Sequence, residues 1–139
     1  MPNNASTCST PTQPTYAVFY DDRCSLCCRT MAFLSSIDRR YQLRQLPMNE
    51  PESLAPYPEL RGHEEAMREG IHVLHHAQRT VWVGEEAVAV ILKACGGAWW
   101  ILGCLLELAI RLPLIGWGVR QTYGWVARNR YKLLARLGL

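Results

Sequence analysis

Cys24 and Cys27 stand three residues apart in the stretch Asp21-Asp22-Arg23-Cys24-Ser25-Leu26-Cys27-Cys28. Two cysteines at that spacing on one helical turn bring their sulfurs close enough for a disulfide of tolerable geometry. The same pair could be half of a zinc site, but zinc usually takes four ligands. Cys95 and Cys104 do not supply the other half, because they lie nine residues apart in segments that read as helical. The spacing therefore favours thiol chemistry, with a metal module built on Cys24, Cys27 and Cys28 as the rival reading. At a helix start the unpaired N–H groups and the positive dipole end favour thiolate over thiol, and Arg23 pushes the same way. The expectation is that Cys24 is the exposed nucleophile. Cys27, lying inward, would then resolve a mixed disulfide by attacking it. Asp21 stands close enough to help move the proton off Cys27, or serves only as a cap or turn residue. Cys28 reads as a packed thiol and Cys8 as incidental.

These residues need a strand and a helix to position them. Tyr16-Ala17-Val18-Phe19-Tyr20 is a continuous apolar, β-prone run that suits a strand buried on both faces. Asp21 and Asp22 supply turn and N-cap chemistry. Met31, Leu34 and Ile37 then recur at helical spacing, Phe33 widens the stripe, and Arg39-Arg40 complement the helix end. Tyr41 to Leu46 reads as a second strand. Pro47, Pro51, Pro56 and Pro58 make a loop-rich crossover with room for a short helix up to about Arg68. Ile71–His75 and Thr80–Val83 read as a hairpin, and Glu85 to Cys95 as a helix ended by Gly96-Gly97. The order β-α-β-α-β-β-α, with a parallel first pair and an added antiparallel hairpin, is the thioredoxin topology. Beyond it Trp99 to Ile110 looks helical, Pro113 and Gly116 break it, and Trp117 to Leu137 resumes. The expected organisation is an N-terminal tail at 1–15, an α/β thioredoxin-like core at 16–97 and a helical extension at 98–139 packed on the core.

With 139 residues, 49% of them hydrophobic and 19% charged, the chain can bury a core without disulfide staples. The Asn-, Ser-, Thr- and Pro-rich start has no apolar run and is not read as a signal peptide. The expected compartment is thus the reducing cytoplasm, where a close cysteine pair points to catalysis or metal rather than a structural framework. From Arg111 onward there are six basic residues and no acidic one, against nine basic and twelve acidic before it. That basic end suggests a solvated face or peripheral contact with the inner face of a membrane. The uncharged run Ala94–Leu106 is shorter than the roughly 18 apolar residues of a span. No nucleic-acid partner is indicated. His72 and His76 face opposite to His75 in a strand and turn, and the spacing disfavours a metal site. His63-Glu64-Glu65-Ala66-Met67 lacks the second histidine of a zinc-protease motif.

Tyr20-Asp21-Asp22-Arg23-Cys24-Ser25-Leu26-Cys27 resembles the signature of the DCC family of predicted thiol-disulfide oxidoreductases, named for an Asp-x-x-Cys-x-x-Cys core. His72-Val73, Gly84, Ala87, Tyr123, Trp125 and Ala127-Arg128-Asn129-Arg130-Tyr131 are similar to later family segments. The resemblance runs from about Ala17 to Tyr131, with Asp22 where the family usually has glycine. Arg68-Glu69-Gly70 precedes Ile71 where thioredoxins proper carry a cis-proline. The resemblance implies thiol-disulfide exchange at Cys24 and Cys27 with help from Asp21, and no metal or organic cofactor. It also implies a protein or small-molecule disulfide as substrate and an unidentified electron donor or acceptor. The alternative is a redox-inactive binding protein on the same fold, held at a membrane surface by its basic helices.

Overall fold

A computed structural model describes residues 14–138 of the chain. Residues 1–13, with Cys8 and most of the expected tail, lie outside the described residues, as does Leu139. Tyr16–Tyr20 form β1, whose side chains alternate between two faces. Ala17 and Phe19 enter one layer and Val18 the other, and all three are buried. Being apolar on both sides, β1 takes a central place. It pairs in parallel with β2 (Leu43–Pro47) and antiparallel with β3 (His72–His75). β3 in turn pairs antiparallel with β4 (Val81–Val83), giving a four-stranded mixed sheet in the order β2-β1-β3-β4.

Helix α1 (Ser25–Ile37) connects the parallel pair and buries Met31 and Leu34 against Val18 and Val73. Its exit is tied down by Asp38, whose carboxylate accepts the backbone N–H groups of Gln42 and Leu43 at 3.0 and 2.9 Å. Helix α4 (Glu85–Cys95) shares that layer through Ala87, Ile91 and Cys95. The opposite face of the sheet is covered by the crossover, through Met48, Tyr57, Leu60 and Met67. Instead of one short helix, the crossover folds as α2 (Pro51–Leu54), a 3-10 turn at Pro58–Leu60 and α3 (Glu64–Glu69). Pro51 and Pro58 each begin their own piece, because a first turn needs no N–H from its first residue.

Two helices follow, α5 (Ala98–Arg111) and α6 (Pro113–Arg136). The expected break from Pro113 to Gly116 is a single residue, Leu112. Pro113 occupies the first helical position, and position 116, inside α6, takes glycine because a Cβ there would lie 2.2 Å from the Ile110 carbonyl oxygen. The two helices bend by 110°, and among the described residues no single helix is long and apolar enough to cross a membrane. α5 lies directly on α4 at Gly103, where a Cβ would come within 2.8 Å of the Ala89 carbonyl oxygen and the Lys93 nitrogen. α6 then returns across the sheet's end. Its Tyr123 hydroxyl accepts the N–H of Ile71, just before β3, at 3.1 Å.

The histidines serve this scaffold. His76 meets the Tyr57 hydroxyl at 2.8 Å, and His75 packs edge-on against Tyr16. His72 is fully buried, with Nδ1 3.1 Å from the Gly70 carbonyl oxygen and Nε2 unpartnered among the described residues. Burial holds its pKa below the ordinary histidine value. The unfolded chain therefore takes up a proton below pH about 6.5 that the folded chain resists, so stability falls as pH drops below that point. The expected slope is at most about 1.4 kcal/mol per pH unit. Urea unfolding of the wild type and of His72→Gln should show this component only in the wild type. Equal slopes below pH 6.5 would contradict it.

Candidate functional site

The site forms where β1 ends and α1 begins. Asp21 leaves the strand buried, its backbone oxygen accepts the Cys24 N–H at 3.2 Å, and its Oδ1 accepts the Arg23 N–H at 3.1 Å. This tight turn delivers Cys24 to the helix start. The N-cap is Cys24 itself and not an aspartate: its Sγ accepts the backbone N–H of Cys27 at 3.4 Å. Asp22 instead ties the turn to the loop after β2, accepting from Asn49 Nδ2 at 2.7 Å and from its backbone N–H at 3.2 Å. Burial works against the Asp22 charge, yet the Asn49 hydrogen bonds outweigh it and hold the carboxyl below its usual range.

Cys24, Cys27 and Asp21 thus come together, but exposure runs opposite to expectation. Cys24 is completely buried, whereas Cys27 is half-buried and faces a cleft. The reason is the N-cap position, which turns the Cys24 sulfur in over the first turn, while Cys27 emerges on the flank of α1 that faces α6. Burial, the hydrogen bond to Cys24 and the Cys24 charge push the Cys27 thiol up to about 12, with Arg130 pulling the other way. Cys27 therefore keeps its proton at neutral pH. Arg23 is exposed in the turn, and the cation at the sulfurs is a different one.

That cation is Arg130 of α6. Its guanidinium donates to Cys27 Sγ at 3.6 Å, to Asp21 Oδ2 at 3.2 Å and to the Arg68 carbonyl oxygen at 2.6 Å. The Tyr131 hydroxyl donates to the same Asp21 oxygen at 3.2 Å, and Asn49 Nδ2 to the other at 3.1 Å. Asp21 accordingly holds Arg130 in a largely buried ion pair and reaches Cys27 through it. Reading the sequence by local spacing missed Arg130, Tyr131 and Asn49. A signal for Arg130 was present: it lies on the inward stripe Tyr123–Ala127–Arg130–Leu134, where a charge breaks an otherwise core-facing pattern. Beside Cys27 an apolar cleft of about 180 Å³ opens between α1 and α6, lined by Leu26, Met31, Ile71, Val88, Tyr123 and Val126.

Cys28, expected to be packed, is instead exposed beside the turn, and its thiol donates to the Asp22 carbonyl oxygen at 3.4 Å. Cys95 is buried in the core, which pushes it up to about 11. Among the described residues no three His, Cys, Asp or Glu side chains are arranged to hold a metal ion.

A helix-start cysteine pair with a buried carboxylate before it can be compared with known families. The model of the DCC1-like thiol-disulfide oxidoreductase family matches residues 18–136. The chain belongs to that family. No curated protein and no solved structure matches it. The DCC1-like match runs from β1 to the last residue of α6, so it takes in both the cysteine turn and the helix that carries Arg130 and Tyr131. In this DCC1-like chain, then, α6 contributes to the site.

Proposed function

We propose that this DCC1-like protein is a thioredoxin-like thiol-disulfide oxidoreductase in which Cys24 attacks, Cys27 resolves and Asp21 receives the Cys27 proton. The observation that carries this reading is the Cys24 sulfur at the N-cap, facing the Cys27 N–H and thiol at the positive end of α1. The Cys24 thiolate attacks one sulfur of a disulfide substrate. The substrate S–S bond breaks, one half leaves as a thiolate, and the other half remains bonded to Cys24. Cys27 then gives its proton to the Asp21 carboxylate, whose Oδ2 is freed to accept it as Arg130 and Tyr131 move away. Its thiolate displaces the second half and closes the Cys24–Cys27 disulfide. Two electrons pass from the pair to the substrate, and the reverse sequence oxidises a dithiol.

The burial of Cys24 favours a second reading, a redox-inactive binding protein, unless α6 can move aside. Burial and the neighbouring Cys24 keep the Cys27 thiol protonated, which makes it the poorer first attacker. Cys24, at the positive end of α1, is the attacker in this reading. Substrate access to Cys24 then requires α6 to shift at Arg130 and Tyr131, which opens the largely buried Arg130–Asp21 ion pair.

The test follows oxidation of the reduced protein by glutathione disulfide near neutral pH. Cys24→Ser should slow the reaction by at least about a hundredfold, Cys27→Ser should stop it at the mixed disulfide, and Cys28→Ser should leave it close to wild type. A wild-type protein that forms no Cys24–Cys27 disulfide under glutathione disulfide would favour the binding-protein reading.

A further inference from the structure

Among the described residues, thirteen of the sixteen exposed large hydrophobic side chains lie between Trp100 and Leu137. On α5 they form a stripe, Ile101, Leu105, Leu108 and Leu112, each 43% exposed or more, at helical spacing. The bend continues it with Leu114 and Ile115, of which Leu114 is 86% exposed. On α6 an exposed stripe runs from Leu114 through Trp117 and Trp125 to Arg128, Lys132 and Arg136, at spacings that keep it on one side of the helix. This solvent-facing side is thus apolar and aromatic in its first half and cationic in its second. No carboxylate follows Glu107 in the sequence. Arg111 pairs with Glu107 and Arg120 with Glu85, while no salt bridge among the described residues engages Arg128, Lys132 or Arg136.

We propose that the α5–α6 bend and the outer stripe of α6 dock on the surface of an anionic lipid bilayer, lying in the interface without crossing it. An uncovered apolar area of this extent is an interaction site. The charge pattern selects the occupant. A second copy of the same face offers Arg128, Lys132 and Arg136 no side-chain carboxylate on its stripe to neutralise them. Phosphate headgroups do neutralise them, and the tryptophans suit the headgroup level, where one part of the ring is wet and the rest apolar. Among the described residues no single helix is long and apolar enough to cross. The 14 residues of α5 reach about 21 Å at 1.5 Å per residue, short of the hydrocarbon thickness of about 30 Å, and the chain turns by 110° immediately after. The inward stripe of α6, with Tyr123 and Arg130, remains on the cysteine site, so docking leaves that contact in place.

The test is co-sedimentation of the full-length chain with phosphatidylcholine vesicles, with and without about one third phosphatidylglycerol, at low and high salt. Binding should require the anionic lipid, weaken with salt and shift tryptophan emission to shorter wavelength. The triple variant Arg128→Gln, Lys132→Gln, Arg136→Gln should weaken binding about a hundredfold, at about fivefold per lost cation. Trp117→Ser with Trp125→Ser should weaken it independently. Reaction with glutathione disulfide serves as the folding control in each variant. Failure to bind anionic vesicles at low salt, or binding indifferent to both sets of changes, would overturn the proposal. So would a vesicle-independent dimer that the tryptophan substitutions dissolve, because a second copy would then cover the face.

Discussion

Cys27→Ser is expected to hold its substrate covalently on Cys24. In the intact pair the mixed disulfide is short-lived, because Cys27 lies within the same helical turn and acts at an effective concentration far above that of any thiol in solution. With serine there, clearance falls to external thiols. Treated with glutathione disulfide, the variant should accumulate one glutathione per chain, seen by intact mass, mapped to Cys24 and removed by reductant. Cys24→Ser should accumulate little on Cys27. Cys28 is the neighbour able to resolve in place of Cys27, being exposed beside the same turn. The Cys27→Ser, Cys28→Ser double variant removes that route and should give the longest-lived adduct. Glutathione found on Cys27 of Cys24→Ser at the same rate would reverse the two roles and make the cleft-facing sulfur the attacker.

Removal of the chain after Gly97 should abolish cooperative folding, and with it all exchange activity. Trp99, Ile110, Tyr123 and Leu134 place apolar surface against the rest of the molecule. At about 1.5–3 kcal/mol for each buried large side chain, their loss approaches the 5–15 kcal/mol that holds a typical domain together. The truncation also deletes Arg130, leaving Asp21 buried without its cation. The 1–97 fragment should therefore aggregate and show no sigmoidal urea transition. A soluble fragment with a cooperative transition would mean that the expected core at 16–97 stands alone and that α5 and α6 are an appendage.

What could be read from the chain was mostly local. β1 spans the apolar run Tyr16–Tyr20, α1 follows the Met31–Leu34 spacing, and α4 covers Glu85–Cys95, because each carries its own periodicity and boundary residues. The crossover was harder. Its prolines announce breaks, but whether the pieces between them become loops or single turns depends on Tyr57, Leu60 and Met67 finding the sheet. Pro113 and Gly116 signalled an interruption for the same reason, and only the close approach of position 116 to Ile110 shows why a glycine stands inside the helix. The cysteine spacing exposed the pair, yet not which sulfur is buried, since the N-cap falls on Cys24 through a hydrogen bond rather than a composition rule. The pairing of Asp21 with Arg130 joins residues 109 apart in sequence, and no local pattern encodes that distance.

The central claim is that Cys24 and Cys27 interconvert between dithiol and disulfide. The most direct test equilibrates the Cys28→Ser chain in glutathione buffers of graded potential, quenches with acid and alkylates the remaining thiols. The state of the peptide Cys24–Arg29, which trypsin should release with both cysteines on it, is then read by mass. The account predicts an intramolecular Cys24–Cys27 disulfide that titrates as one two-electron couple, with a midpoint between about −270 and −120 mV, the range of helix-start dithiol pairs. A peptide that stays fully alkylatable throughout that range, or that oxidises only by joining glutathione or another chain, would contradict it.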